Sequence, residues 1–270
     1  MKTRNETDMN EQRENGKIGG LAESLVIAFS MYSRIPMPMV AWTEKGMKYA
    51  LCFFPAVGIA VGAAVAAFWQ LSRLLGLGDL SRLCVETALP LLITGGIHMD
   101  GFLDTVDARS SHQSRERKLE ILKDPHAGAF AIAGCGVYLL FYAAAFSELS
   151  PEAFPGIAGV FVMSRALSGY SVVTFPKAKK DGLVTAFAKG ASQAPAAVSG
   201  ILLCWLVGGF FWILLTGGLV MALAAGAGAA AAFLWYRRMA LWEFGGITGD
   251  LAGYFLQMAE LFMIGAAALA

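Results

Sequence analysis

Three aspartates set the terms of this chain. Asp100, Asp104 and Asp107 recur at i, i+4 and i+7, which places them on one face of a helix. Like charges at that spacing repel, and a carboxylate near hydrocarbon is expensive, so such a stripe persists where something positive sits on it. Hard oxygen donors in this arrangement suit Mg²⁺, which typically takes one or two carboxylates and completes its shell with substrate phosphate oxygens. The competing reading is a solvated helix end whose acids face water. The flanking residues are apolar and no lysine is interleaved, which favours the metal. His98 lies two residues before Asp100 and falls on another side of a regular helix. It reads either as a core or interfacial histidine or as a proton-transfer group, and Gly95-Gly96 just before it can break the regularity.

Further polar residues lie downstream. Ser114–Asp124 has the pattern of a short amphipathic helix: Ser114 as N-cap, Leu119 and Leu122 on the apolar side, Pro125 as terminator. By composition it is a membrane-surface helix with its basic residues toward lipid headgroups. Asp124 at its exit can return toward the aspartate face, whereas His112 and His126 have weaker individual claims. Arg165 is a cation inside an apolar run, where cations pair with an acid or a substrate anion. Lys179 and Lys180 precede Asp181, and a later loop reads Gly245-Gly246-Ile247-Thr248-Gly249-Asp250. That loop is either a backbone cradle for phosphate or a plain helix-entry turn with Asp250 as cap. Acids for a metal, bases for phosphates and glycines for close backbone approach are what phosphoryl transfer needs, since positioning and charge neutralisation supply nearly all its catalysis.

The scaffold that must position these groups is a membrane one. The 270 residues are 57% apolar and only 15% charged, with a mean hydropathy of +0.58, whereas soluble domains are roughly 45–50% apolar and about 25% charged. No charged residue falls between Lys48 and Arg73, between Asp124 and Glu148, or between Lys189 and Arg237. Roughly 20 apolar helical residues cross a bilayer. Seven spans follow, at about 49–75, 84–103, 127–147, 154–175, 196–215, 217–236 and 251–269, with Gly217-Gly218 turning the longest run. Residues 19–29 are apolar but short and read as an interfacial or re-entrant helix. Residues 1–18 form a polar tail, leaving 19–270 as a single membrane-embedded transferase domain. The fold class expected is therefore an all-α, polytopic bundle. A formal charge of +1 offers no field for nucleic acid, so no nucleic-acid partner is expected. The scattered cysteines Cys52, Cys84, Cys135 and Cys204 read as small buried apolar residues. Lys and Arg gather in the loops 108–126, 176–194 and 237–250, which places those three loops on the cytoplasmic side; Arg73 and Arg82 beside an outer loop run against the pattern.

The segment Gly95-Gly96-Ile97-His98-Met99-Asp100-Gly101 through Asp104-Thr105 and Asp107 resembles the cobalamin synthase family, adenosylcobinamide-GDP ribazoletransferase. The likeness continues through Arg117–Asp124 with Gly128, Ser164-Arg165 and Gly245–Asp250, and Ser33–Pro38 is similar to the family's Arg-Leu-Pro-Val-Pro stretch. Departures are Phe102-Leu103 for Leu-Ala, Ala108 for a glycine, and Asp181 for a glutamate; the last touches nucleotide or ribazole contacts. The resemblance implies a Mg²⁺-dependent enzyme of the bacterial cytoplasmic (inner) membrane, its active site facing the cytoplasm. Its substrates would be adenosylcobinamide-GDP and α-ribazole or the 5′-phosphate, and GMP would leave. On that reading Asp100, Asp104 and Asp107 hold Mg²⁺, and Asp124 or Asp250 completes the shell or takes the ribazole proton. Arg165, Lys179 and Lys180 neutralise phosphate, Gly245, Gly246 and Thr248 line the substrate, and His98 is a reserve for proton transfer. A homo-oligomer is possible. Two rival readings are another Mg²⁺-dependent intramembrane transferase, of the CDP-alcohol phosphotransferase or prenyltransferase type, and a transporter. The first requires an acidic spacing not met here; the second would centre its charges at mid-bilayer.

Overall fold

The apolar runs fold as helices because lipid leaves the backbone no other partner for its polar groups. The computed structural model describes residues 19–270, so the polar tail at 1–18 lies outside the described residues. Gly20–Tyr32 (α1) is a 13-residue apolar helix, too short to cross. Glu44–Tyr49 (α2) starts at Thr43, whose hydroxyl accepts the Gly46 N–H at 3.1 Å. It runs through a 3₁₀ turn at Ala50–Phe53 into Phe54–Leu74 (α3). Next come Asp79–Thr94 (α4) and Ile97–Ser110 (α5), the short Arg115–Ile121 (α6) and Ala129–Ser147 (α7). Ile157–Thr174 (α8), Leu183–Ala191 (α9), Pro195–Met239 (α10) and Gly249–Ala268 (α11) complete the bundle. The fold is all-α, and the isolated bridge between Lys177 and Ile247 is its only β pairing among the described residues.

The expected span at 84–103 is not one helix. Gly95 and Gly96 adopt φ of +67° and +79°, a left-handed pair that bends α4 against α5 by 97°. Two glycines tolerate this where other residues would be strained. The bend turns α5, with its aspartates, across the end of the bundle.

The longest run divides where the Gly-Gly pair suggested. Gly218 has φ +84° and ψ 173°, far from helical. A methyl group on Gly226 would lie 3.3 Å from the Phe210 ring, whereas a straight helix would separate those residues by about 24 Å. The two arms of α10 therefore run antiparallel. Among the described residues five helices are long and apolar enough to cross a membrane, and the bent α4–α5 pair makes a sixth if it is one span; dividing α10 at Gly218 gives seven apolar segments. The chain is a multi-pass membrane protein.

Helix α8 runs through the centre, buried along nearly all its length by α3, α10 and α11. Small residues permit that density. Gly58 faces the Phe161 carbonyl, Gly62 faces Ala158, and Gly159 meets the Gly209 carbonyl, the close backbone approach by which helices associate in lipid. Leu140, Phe141, Leu215 and Leu234 point outward and are mostly exposed, an apolar jacket suited to acyl chains. The cysteines form no disulfide among the described residues. Cys84 and Cys204 stand exposed rather than buried as expected, because their helices are apolar on the outer side as well as the inner.

Candidate active site

Helices α5 and α11 cross so tightly that their backbones touch. A Cβ on Gly101 would lie 2.6 Å from the Asp250 carbonyl oxygen, and one on Gly253 would lie 3.0 Å from the His98 carbonyl oxygen. This crossing brings Asp100 on α5 beside Asp250 in the first turn of α11. Thr248 caps α11, its hydroxyl accepting the Leu251 N–H at 3.2 Å and donating to Asp250 Oδ2 at 3.3 Å. Lys179 reaches over from the loop after α8, with Nζ 3.9 Å from Asp250 Oδ2.

These groups border a cavity of about 320 Å³. Asp100, Lys179, Asp181, Thr248 and Asp250 supply its polar wall; Tyr32, Phe54 and His98 supply an aromatic one. His98 is buried, stacks on Tyr32 with ring centroids 5.9 Å apart, and leaves Nε2 without a hydrogen-bond partner. His98 and Asp100 both border the cavity although they fall on different sides of α5.

The roof is joined loop to loop. Ile247 N–H donates to the Pro176 carbonyl at 2.9 Å, and Ala178 N–H donates to the Ile247 carbonyl at 3.0 Å. Gly246, at φ +156°, has no room for a Cβ against Lys177 and Ala178, and Gly245, at φ +77°, ends the π turn Ala240–Phe244. The two glycines thus shape the loop and line neither this cavity nor its neighbour, while Thr248, Gly249 and Asp250 do line this one. Within the roof the Lys177 ammonium donates to the Phe175 carbonyl, and burial pulls it below the usual lysine range. Lys180 is exposed and borders neither cavity.

A second cavity, also about 320 Å³, lies on the other side of α5 and is bordered by Asp104, Asp107, Asp124, His126 and Gly128. Asp124 has returned toward the aspartates, as its place after α6 suggested. His126 donates its backbone N–H to Asp124 at 3.0 Å, with the imidazole Nδ1 at 2.8 Å. These hydrogen bonds hold the exposed Asp124 carboxyl below the usual carboxylate range.

The aspartate stripe is therefore divided rather than pooled. Asp107 accepts the N–H groups of Gly128 at 2.5 Å and Ala131 at 2.8 Å, closing the N-terminus of α7. Its charge meets the positive end of that helix dipole, which accounts for its place in the stripe without a metal. Asp104 lies in the field of Asp100, Asp250 and Asp107, opposed by Lys179. Among the described residues no three Asp, Glu, His or Cys side chains converge closely enough to hold a metal ion unaided. Asp100 and Asp250, which share the first cavity, still fit Mg²⁺, because that ion is usually held by one or two carboxylates, waters and substrate phosphate. Asp104, one turn along α5, borders the second cavity and lies within the field of both carboxylates.

Arg165 is placed otherwise than expected. It lies 1% exposed at the centre of α8, and its Nη1 donates to Glu260 at 2.7 Å and to the Phe161 carbonyl at 3.0 Å. Ser164 and Tyr142 also donate to Glu260, at 3.1 and 3.2 Å. The anion that Arg165 serves is a neighbouring helix's carboxylate. Helix α6 likewise turns Lys118 inward rather than toward headgroups, while Arg117 stays exposed beside Glu120. Lys118 meets Glu243 at 2.8 Å, joined there by Arg109 at 3.1 Å. Glu243, Glu260 and Gly253 escaped the reading of the sequence. A lone acid inside an apolar helix was the available signal for Glu260, whereas nothing in the sequence sets Gly253 apart as a crossing point.

The profile of cobalamin-5-phosphate synthase matches residues 24–268, nearly the whole of this scaffold. The chain belongs to the cobalamin-5-phosphate synthase family. It is 48% identical to an adenosylcobinamide-GDP ribazoletransferase of Lachnoclostridium phytofermentans, covering 88% of this chain and 90% of the relative. It is 31% identical to the enzyme of that name from Clostridium botulinum (strain Alaska E43), over 89% and 95% of the two chains. The Treponema denticola ribazoletransferase is 30% identical over 90% of this chain and 96% of its own. No solved structure gives a significant match. The family membership displaces the rival transferase and transporter readings, and Asp100 and Asp250, distant in sequence, meet at the α5–α11 crossing.

Proposed function

We propose that the chain joins adenosylcobinamide-GDP to α-ribazole, or to its 5′-phosphate, with release of GMP. The observation that carries this reading is that Asp100 and Asp250, from opposite halves of the chain, line one cavity with Lys179 beside them. In the reaction a ribazole hydroxyl oxygen bonds to the cobinamide-linked phosphorus and the bond to the GMP oxygen breaks. The hydroxyl proton passes to a carboxylate of the Asp100–Asp250 pair, and GMP departs as the anion. Lys179 neutralises phosphate charge, and the Tyr32–His98–Phe54 wall offers a flat aromatic surface to a base.

Asp100 and Asp250 are the residues that would hold Mg²⁺, with Asp104 adding its negative field from one turn along α5. When bound, the ion supplies charge neutralisation for the diphosphate. Asp107, engaged with α7, is assigned to positioning. The Lys and Arg content of the three loops supports a reading in which this end of the bundle faces the cytoplasm from a bacterial inner membrane.

The test is reconstitution in liposomes with adenosylcobinamide-GDP, α-ribazole and Mg²⁺. Cobalamin and GMP should appear in equal amounts and cease on chelation. Sealed vesicles of known orientation report the face, because only those exposing the loop around Lys179 should turn over impermeant adenosylcobinamide-GDP. Absence of GMP release under these conditions would overturn the reading.

A further inference from the structure

A cavity of about 540 Å³ opens at the end of the bundle opposite the aspartates, where α3, α4, α7 and the turn before α8 meet. Its charges are balanced and incompletely paired. Glu86 is 2% exposed, and its Oε1 has no hydrogen-bond partner. The nearest cation, Arg82, stands 3.8 Å away and is already bonded to Asp79 at 3.0 Å. Arg73 lies over the Trp69 ring at 4.8 Å and makes no ion pair among the described residues. Trp69 stacks on Phe154 with centroids 5.1 Å apart, forming an apolar wall.

A buried carboxylate with a free oxygen calls for a hydrogen-bond donor, and a cation resting only on an aromatic ring calls for an anion. One ligand meets both demands if it carries the two charges a short distance apart. Arg73 and Arg82 balance Asp79 and Glu86, so a neutral zwitterion leaves no charge uncompensated, whereas an anionic ligand would leave Glu86 unmatched. Leu74, Leu75 and Leu80 stand exposed around this end, at 84%, 63% and 76%, and Leu80 also borders the cavity, so that acyl chains of a lipid seated there would meet an apolar surface beside the polar chamber.

We propose that this cavity binds the headgroup of a bilayer lipid carrying a primary ammonium and a phosphate, the ammonium on Glu86 and the phosphate between Arg73 and Arg82. A quaternary ammonium is disfavoured because it has no N–H for the Glu86 oxygen. A free aminoalkyl phosphate shares the headgroup chemistry but forfeits that apolar surface.

The experiment places the full chain in phosphatidylcholine nanodiscs doped with phosphatidylethanolamine or phosphatidylglycerol and measures retained lipid by native mass spectrometry. Phosphatidylethanolamine should be retained over both others by about ten- to a hundredfold, the discrimination that charge-assisted hydrogen bonds provide. E86Q should abolish its preference over phosphatidylcholine. R73Q, at an exposed position that folding tolerates, should weaken retention of phosphatidylethanolamine at least several-fold. Equal retention of phosphatidylglycerol, an undiminished preference in E86Q, or undiminished retention of phosphatidylethanolamine in R73Q would overturn the proposal. A competition arm with O-phosphoethanolamine separates the sources: displacement of the lipid at comparable concentration would overturn the bilayer assignment, and failure to displace it supports that assignment.

Discussion

Gly101 and Asp250 meet backbone to backbone: a methyl group at 101 would stand 2.6 Å from the Asp250 carbonyl oxygen. The two carboxylates of the cleft are therefore spaced by a helix crossing. G101A must push α5 off α11, an overpacking that costs about 1–3 kcal/mol. Displacing reacting groups by about 1 Å can cost on the order of 100-fold in rate. Turnover should fall by that order while the melting temperature drops only a few degrees. Wild-type turnover in G101A would show that the crossing does not set the reactive geometry.

The aspartates of α5 should separate into two classes. D100A and D104A are expected to abolish ribazole transfer with membrane insertion intact. D107A instead removes a helix cap, worth about 1 kcal/mol, and should lower thermal stability while the Mg²⁺ concentration for half-maximal rate stays put. A large rise in that concentration for D107A would return Asp107 to the metal.

R165M leaves Glu260 charged and unpaired in the bundle centre, a loss of about 3–5 kcal/mol. Thermal unfolding should show the loss, and R165M/E260L should recover much of it because no charge is then stranded. Were R165M stable but raised tenfold in KM for adenosylcobinamide-GDP, Arg165 would be serving phosphate after all.

Asp124 yields a pH prediction with a definite sign. Its carboxyl is held below the usual carboxylate range by the His126 hydrogen bonds. The stability this contributes is present above the unfolded value of about 3.9 and fades only as pH falls through the lower folded value. Asp124 is thus ionised throughout the neutral range. D124N should leave both limbs of the pH–rate profile between about pH 5 and 9 where they are; a shifted acid limb would make Asp124 a titrating catalyst.

What was legible in the sequence was local. Hydropathy placed the apolar segments, Gly217-Gly218 marked the hairpin, and Ser114 stands where a helix starts, while the last helix is capped by Thr248 and not by Asp250, which falls in its first turn. The i, i+4, i+7 rule put three aspartates on one face, but it is blind to which neighbour each one meets. Asp107 faces the start of α7, a contact set by the 97° bend and the return of the chain through Gly128. Arg165 reads as a phosphate ligand only until Glu260, distant in sequence, arrives from α11. The glycine-rich loop looks like a phosphate cradle, yet Gly246 is small because a second strand of backbone lies against it. Pairings between helices leave no periodic trace.

The hairpin at Gly218 also bears on how the chain enters its membrane. Its two arms share one uncharged stretch from Lys189 to Arg237, and their small faces already fit, Phe210 against Gly226. The tip that must traverse the bilayer carries no ionisable group, each of which would add roughly 2.5–3.5 kcal/mol at the midplane. The pair therefore crosses without a charge penalty, and Arg237 and Arg238 at its end favour the side from which it entered.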